Sequence, residues 1–359
     1  MPVFDVNQLK SIGKCIFQAV GSVPKEAEIV ARLLANANLV GHDSHGVIRI
    51  PQYLGLIETG HIVLNNEIEI LRQTKSSAVI NGNWGFGQVI ASKAMNIAIE
   101  KAQSTSVSTV TVRSCNHVGR LADYAQIAAN HNLIAMLTVN NHGSGTRVAP
   151  WGGSEGRLST NPICFAIPRK HSQPILVDIT TSVVAEGKVR VKRNRNEKVP
   201  EGWIIDANGI PTNDPNDLYE SPMGAILPFG GKVGHKGFAL SMVVDILSGA
   251  LSGAGCSRES PEKLGNAIFM TLFDISSFVP IEEFYQEIDN FVDWVKSAKT
   301  APGFTEITIP GEPEDHIKQK RRKEGIFIEQ KTWKQIEESA EKVGVDLSAL
   351  QLSDQISQH

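Results

Sequence analysis

The chain reads as a mixed α/β protein with helix-rich ends and a strand-rich middle studded with glycine turns. Three observations lead there. Apolar residues recur at helical spacing near both ends, as Ile29, Val30, Leu33, Leu34, Ala37 and Val40 and again as Trp333, Ile336, Ala340 and Val343. Between them, short β-rich apolar runs empty into polar turns of small residues. No Gly-x-Gly-x-x-Gly stands between a strand and a helix, so the dinucleotide fingerprint of a doubly wound sheet is absent.

At 359 residues the chain is long enough for a substantial core in two domains, or in one large domain with an excursion. Apolar content of 41% and charged content of 20% are those of a soluble globular protein. A formal charge of −3 gives no electrostatic case for nucleic acid. Cys15, Cys115, Cys164 and Cys256 are far apart and form no CxxC pair, so they read as reduced structural thiols. No charged leader with an apolar run opens the sequence, and no apolar run approaches membrane-spanning length. The expected setting is the cytoplasm.

The first helix of note begins at Ser22-Val23-Pro24, where serine can cap and proline is tolerated, and runs to Val40. Gly41 stops it and delivers the chain into His42-Asp43-Ser44-His45-Gly46-Val47-Ile48-Arg49. Two imidazoles, a hydroxyl, a carboxylate and a guanidinium here suit proton transfer and carboxylate binding on a small organic acid. A polar turn whose histidines cap a helix is the plain alternative. Residues 61–82 look extended, with Ala78, Val79 and Ile80 entering a turn at Asn81-Gly82. The glycines of Asn83-Trp84-Gly85-Phe86-Gly87-Gln88 make a tight aromatic turn before a helix over Val89 to Ala102.

Thr109 to Val112 is strand, ending at Arg113-Ser114-Cys115-Asn116-His117-Val118-Gly119-Arg120 before a helix through Leu121, Tyr124 and Ala128. A strand, a polar turn and a helix N-terminus together present N–H groups to an anion. Ile134 to Val139 is strand and empties into an Asn140-Asn141-His142-Gly143-Ser144-Gly145 loop. Strands follow at Ile163 to Ile167 and Ile175 to Val177, the second leading into Asp178. A carboxylate there serves a site or caps the next helix. Lys188 to Lys198 is basic without aromatics, which reads as a solvated surface loop, with a nucleotide phosphate contact as the minority reading. Gly230 to Gly237 carries Lys232, His235 and Lys236 ahead of a buried helix over Phe238 to Leu251, and it lacks the P-loop frame yet suits an anion. Ile281 to Lys299 is amphipathic through Ile281, Phe284, Tyr285, Ile288, Phe291 and Val295. Pro310 and Pro313 break regular structure, Lys318 to Lys323 is an exposed helix face, and Thr332 to Gln335 has capping-box spacing.

The ordered set of turns carries a resemblance. Gly41-His42-Asp43-Ser44-His45-Gly46, His117-Val118-Gly119-Arg120, Trp151-Gly152-Gly153, Thr160-Asn161-Pro162, Asp178 with Thr180 and Thr181, Gly234-His235-Lys236-Gly237 and Pro310-Gly311-Glu312 resemble the type 2 malate/L-lactate dehydrogenase family. The likeness runs from about Phe4 to about Gly344. It implies a non-Rossmann NAD(P)-binding fold with a largely antiparallel mixed sheet, beside a helix-rich domain formed by both chain ends. The expected division gives residues 1–115 and 305–359 to a substrate and dimerisation domain, and residues 116–304 to an NAD(P)-binding domain. The implied activity is interconversion of a small 2-hydroxyacid and its 2-oxoacid with NAD or NADP, in a homodimer that binds no nucleic acid or membrane.

By the same resemblance His45 is the acid/base, Ser44 bonds substrate and Arg49 clamps its carboxylate. His117 is the competing acid/base, otherwise a substrate or nicotinamide contact. Asp178 orients a catalytic group or touches cofactor. Arg120, Asn141, Asn161, Pro162, Asp178, Ile179, Thr180, His235, Lys236, Pro310, Gly311 and Glu312 are the implied cofactor contacts, and no metal is expected. The alternatives are a reductase of a cyclic imine carboxylate or a diketo sugar acid, and a metal-dependent hydrolase using His42, His45, His117 and Asp178. A nucleotide-responsive binding protein that has lost catalysis is the non-enzymatic one.

Overall fold

A computed structural model gives the fold over residues 2–142, 145–259 and 263–348. The chain opens with β1 (Val3–Phe4), α1 (Val6–Ala19) and α2 (Pro24–Leu39). Asp5 caps α1 by accepting from the Asn7 and Gln8 amides, and α2 starts with Pro24 in its first turn. Two short 3₁₀ turns, Asp43–His45 and Val47–Arg49, lead to α3 (Ile50–Glu58). Then come β2 (Glu69–Gln73), β3 (Ser77–Asn81), α4 (Gly87–Thr105), β4 (Val107–Cys115), α5 (Ala122–Ala129), β5 (Leu133–His142), β6 (Ile163–Ile167) and β7 (Ile175–Ile179). α6 (Glu186–Asn194) precedes the short strands β8 (Ile204–Ile205), β9 (Pro211–Thr212) and β10 (Ala225–Ile226). α7 (His235–Asp245) passes into a π turn over Ile246–Ala250, and β11 (Gly265–Asp274) follows. α8 (Ile281–Lys296), α9 (Glu312–Glu324), β12 (Ile326–Phe327) and α10 (Gln330–Lys342) end the described chain.

Seven strands form one sheet in the order β2-β3-β4-β11-β5-β6-β7, antiparallel throughout except for the β3–β4 pair. β11 is central and pairs with β4 on one side and β5 on the other. Covered on both faces, it reads as an almost unbroken apolar run, as buried strands do. α4 and α5 close one face over Ile80, Val110, Val112, Leu137 and Ile268. The sheet is therefore mixed and largely antiparallel, as the resemblance implies.

Both ends of the chain share a second core. β1 pairs with β12, with Val3 opposite Phe327, and the Phe4 and Trp333 rings lie 4.5 Å apart. Leu9, Ile16, Phe17, Leu34, Tyr53 and Ile336 fill the space between α1, α2, α3 and α10. The seven-stranded sheet takes strands from both sides of residue 115, so the two expected bodies meet within one sheet. Of the terminal segment, residues 349–359 lie outside the described chain.

Several local expectations are corrected. The basic 188–198 run is mostly helix, because its cations pair with Glu197, Glu220 and Glu329 instead of repelling one another. Asn140 to His142 prolongs β5 through pairing with β11, while Gly143 and Ser144 of that expected loop lie outside the described residues. Within residues 61–82 only β2 and β3 are strand. Ser22 donates to Glu26 at 2.7 Å instead of capping α2, and Thr332 sits inside α10, whose cap position is Glu329. Phe291 of α8 points outward at 56% exposure. α7 and the turn after it are not buried in the chain alone: Leu240, Met242, Val243, Ile246 and Leu251 are between 42% and 55% exposed.

Candidate active site

The Gly41–Arg49 turn is held from two sides. Asn38, buried near the end of α2, donates to Asp43 at 2.7 Å and accepts from the Val47 amide at 2.8 Å. Its amide fits only because residue 46 is glycine, where a Cβ would lie 2.0 Å from Asn38 Oδ1. From the other side Arg321 of α9 forks onto Asp43 at 2.6 and 3.0 Å. Glu314 of the same helix faces His42 Nε2 at 3.4 Å. Ser44 and His45 are then presented together, with Ser44 Oγ 3.1 Å from His45 Nδ1. Arg49 is anchored by Nε on the Ser44 carbonyl at 2.7 Å and by Nη1 on Gln52 at 2.7 Å.

His117, delivered by the turn after β4, stacks on His45 with ring centres 5.5 Å apart. A relay reaches it from behind. Gln88 Nε2 donates to the Tyr53 hydroxyl at 2.7 Å, and Tyr53 lies 2.7 Å from His117 Nδ1. With the Tyr53 oxygen accepting from Gln88, its own proton is free to go to Nδ1, an arrangement in which the neutral ring carries its proton at Nε2. Burial pushes the Tyr53 hydroxyl up to about 12, so it keeps that proton. Burial, then the Arg49 charge, hold His45 down at about 3 and His117 well below its ordinary value. Both imidazoles are therefore held in the neutral form near pH 7.

Arg120 and Asp123 form a buried pair at 3.1 Å beside these rings. Asp178, near the end of β7, accepts from the Ala122 amide at 2.9 Å and so caps the preceding helix α5 while facing Asp123. Burial, reinforced by Asp178, raises the Asp123 carboxyl. Asn161 is fully buried at φ +34° and ties the entry of β6, beside Pro162, to Ser241 and Asp245 under α7. Arg120 Nε and Asn161 Oδ1 are both buried without a hydrogen-bond partner among the described residues. His235 stands edge-on to Trp151 at 5.9 Å, and Lys236 beside it is exposed. Their loop is joined to the 180–182 segment by the Phe229 amide on the Thr181 carbonyl at 2.9 Å.

Other implied contacts lie further out. Ile179 is 45% exposed, and Thr180 donates to the Ser182 carbonyl at 2.9 Å. Asn141 is committed to the β5–β11 ladder opposite Asn266. Pro310 accepts from the Leu176 amide, Gly311 packs on Leu176, and Glu312 is held by Lys296 at 2.7 and 2.9 Å, which docks this turn against β7. The four groups of the hydrolase alternative are dispersed onto separate partners, and among the described residues no three His, Cys, Asp or Glu side chains are grouped to hold a metal. A cavity of about 870 Å³ opens where Ser44, Arg49 and Gln52 meet α6 and α10.

The malate/L-lactate dehydrogenase family model matches residues 4–337. The chain belongs to that family. Members of the malate/L-lactate dehydrogenase family are pyridine-nucleotide-dependent enzymes, and this chain is a dehydrogenase among them. It is 40% identical to a malate dehydrogenase from Pyrococcus abyssi over 347 residues, covering 94% of each chain. It is 34% identical to hydroxycarboxylate dehydrogenase B of Escherichia coli over 353 residues, covering 97% of this chain and 96% of the other. The malate dehydrogenase structure from Pyrococcus horikoshii superposes with a TM-score of 0.87 at 35% identity, covering 96% of both chains. For this member of the family, reading the sequence had missed Tyr53, Gln88 and Glu314, each identified only by its partner across the fold, and Asp123, which pairs locally with Arg120.

Proposed function

We propose that the protein interconverts a small 2-hydroxyacid and its 2-oxoacid by hydride transfer with NAD or NADP. The observation that supports this most strongly is the pair of stacked, neutral imidazoles beside Arg49 at the Ser44 turn. When bound, the nicotinamide takes or gives the hydride at substrate C2. In oxidation, His45 accepts the hydroxyl proton and Ser44 steadies the same oxygen. In reduction, His45 returns that proton. His117, donating from Nε2, favours the form of that oxygen carrying more negative charge. Arg49 clamps the substrate carboxylate through its planar fork. A substrate anion beside Arg49 offsets the charge part of the His45 depression, while the larger part, burial, remains.

Arg120 and Asn161 suit the cofactor because each leaves one buried atom unsatisfied, a donor for phosphate or carbonyl oxygen and an acceptor for an amide. Asp178 positions α5 and Arg120, and His235 and Lys236 supply cations at the start of α7. Pro162, Ile179, Thr180, Asn141 and Pro310 to Glu312 border this side. The terminal segments thus carry Ser44, His45 and Arg49 of the substrate side, and residues 116–304 carry the cofactor side together with His117. The exposed apolar face of α7 favours a homodimer in which a second copy covers it. Four free thiols are in keeping with a cytoplasmic setting, and no described helix is long and apolar enough to cross a membrane.

A panel of 2-oxoacids run with NADH and NADPH in parallel, followed by nicotinamide absorbance, tests the reading. Oxidation of either cofactor by at least one acid is expected, and no turnover across the panel would overturn it. His45→Ala is expected to lose turnover by a factor of about a hundred or more while still quenching with nicotinamide in a fluorescence titration. Turnover like that of the parent enzyme would remove the role from His45.

A further inference from the structure

α6 runs closer to the Ser44 turn than any side chain allows, since a Cβ at Gly187 would lie 2.9 Å from Ser44 Cβ. One turn further along, Arg190 lines the same cavity as Ser44 and Arg49. Three other cations of this segment are occupied elsewhere. Lys192 is 2.6 Å from Glu197, Arg193 bonds Asn216 at 2.9 Å and lies over the Tyr219 ring, and Arg195 pairs with Glu329. Arg190 has only Glu186 as an ion-pair partner among the described residues, at 3.7 Å, too long for a hydrogen bond. The other oxygen of that carboxylate accepts from the Tyr219 hydroxyl at 2.7 Å, which holds Glu186 toward Tyr219.

We propose that Arg190 is a specificity-determining residue that binds a second anionic group on the substrate, so that this site prefers 2-oxoacids and 2-hydroxyacids carrying two negative charges. The inference rests on the dehydrogenase reading above and deepens it. Arg49 and Arg190 line one cavity, and the Arg190 charge is felt at Arg49, His45 and His117, with Glu186 offsetting it in part at Arg49. A substrate with one carboxylate neutralises the first and leaves the second with only its long contact to Glu186. A dianion satisfies both, with the planar fork of each arginine matched to a carboxylate or sulfonate. Sites that pair a substrate group reject the analogue lacking it, because their own polar atoms are then left unsatisfied.

The test compares oxaloacetate with 2-oxobutyrate, which share four carbons and differ in the terminal carboxylate, with 3-sulfopyruvate as a second dianion. The quantity read is the ratio of kcat/KM for dianion over monoanion within one preparation, which cancels any loss of folded enzyme. The parent enzyme is expected to prefer a dianion. Arg190→Gln is expected to cut that ratio at least tenfold, chiefly through the KM of the dianion, and Arg190→Lys to fall between, because a point charge replaces the fork. An unchanged ratio in Arg190→Gln, or a parent enzyme that prefers 2-oxobutyrate, overturns the role of Arg190 and leaves the dehydrogenase reading standing. Absence of turnover with all three acids and both cofactors overturns the two together.

Discussion

In the proposed mechanism Tyr53 sets how the two imidazoles divide their work. A hydroxyl proton directed at His117 Nδ1 would keep that ring's own proton at Nε2 as a donor and leave His45 to take the substrate proton. Tyr53→Phe removes the relay without changing the shape of the core. The expected result is a fall in kcat of about ten- to a hundredfold with KM moved far less, measured by steady-state kinetics. An unchanged kcat would show that the tautomer of His117 is fixed by something else. Ser44, His45, Arg49 and His117 were legible in the sequence because a short polar cluster between glycines stands out. Tyr53 was not, since it lies 64 positions from His117 and 35 from Gln88 and reads locally as one more apolar position of a helix.

Among the elements, α2 and α9 matter to the site out of proportion to their own chemistry. α2 ends in Asn38, whose single amide holds both Asp43 and the Val47 amide, and α9 grips the same turn through Arg321 and Glu314. Asn38→Ala leaves the Val47 amide unsatisfied beside a gap. A loss of about 1–3 kcal/mol is expected by denaturant unfolding, with a larger proportional loss in kcat/KM because Ser44 and His45 lose their fixed relation. Full kcat/KM in a destabilised variant would mean that the turn holds its shape unaided. The helical stripes of α2, α4 and α10 were legible from their spacing. β11 was not identified, because a strand buried on both faces shows no alternation. α6 was read as a loop, because a run of like charge hides the carboxylates that pair with it from distant positions.

For the molecule as a whole, the neutral histidines make stability depend on pH. The folded pKa of His45 is about 3 and that of His117 is well below its ordinary value, so the unfolded chain binds more protons as pH drops below about 6.5. Their contribution is intact above that value and is lost as pH falls toward the folded values, by at most about 1.4 kcal/mol per pH unit for each. Thermal melts are therefore expected to lose several degrees between pH 7 and 5, with a shallower decline in His117→Asn. Equal melting temperatures across that window would contradict the buried, neutral state. Fold class was legible at this scale from helical ends, a strand-rich centre and the missing glycine fingerprint. The sheet order was not, since bringing β11 between β4 and β5 depends on contacts that no local pattern encodes.

Pairing of β1 with β12 has a consequence for how the enzyme is made. The bracing helix that grips Asp43 sits just ahead of β12, so the reactive loop near the N-terminus waits for nearly the whole chain to be synthesised before that grip can form. A chain ending before Arg321 would carry Ser44, His45 and His117 and still lack the guanidinium that grips Asp43.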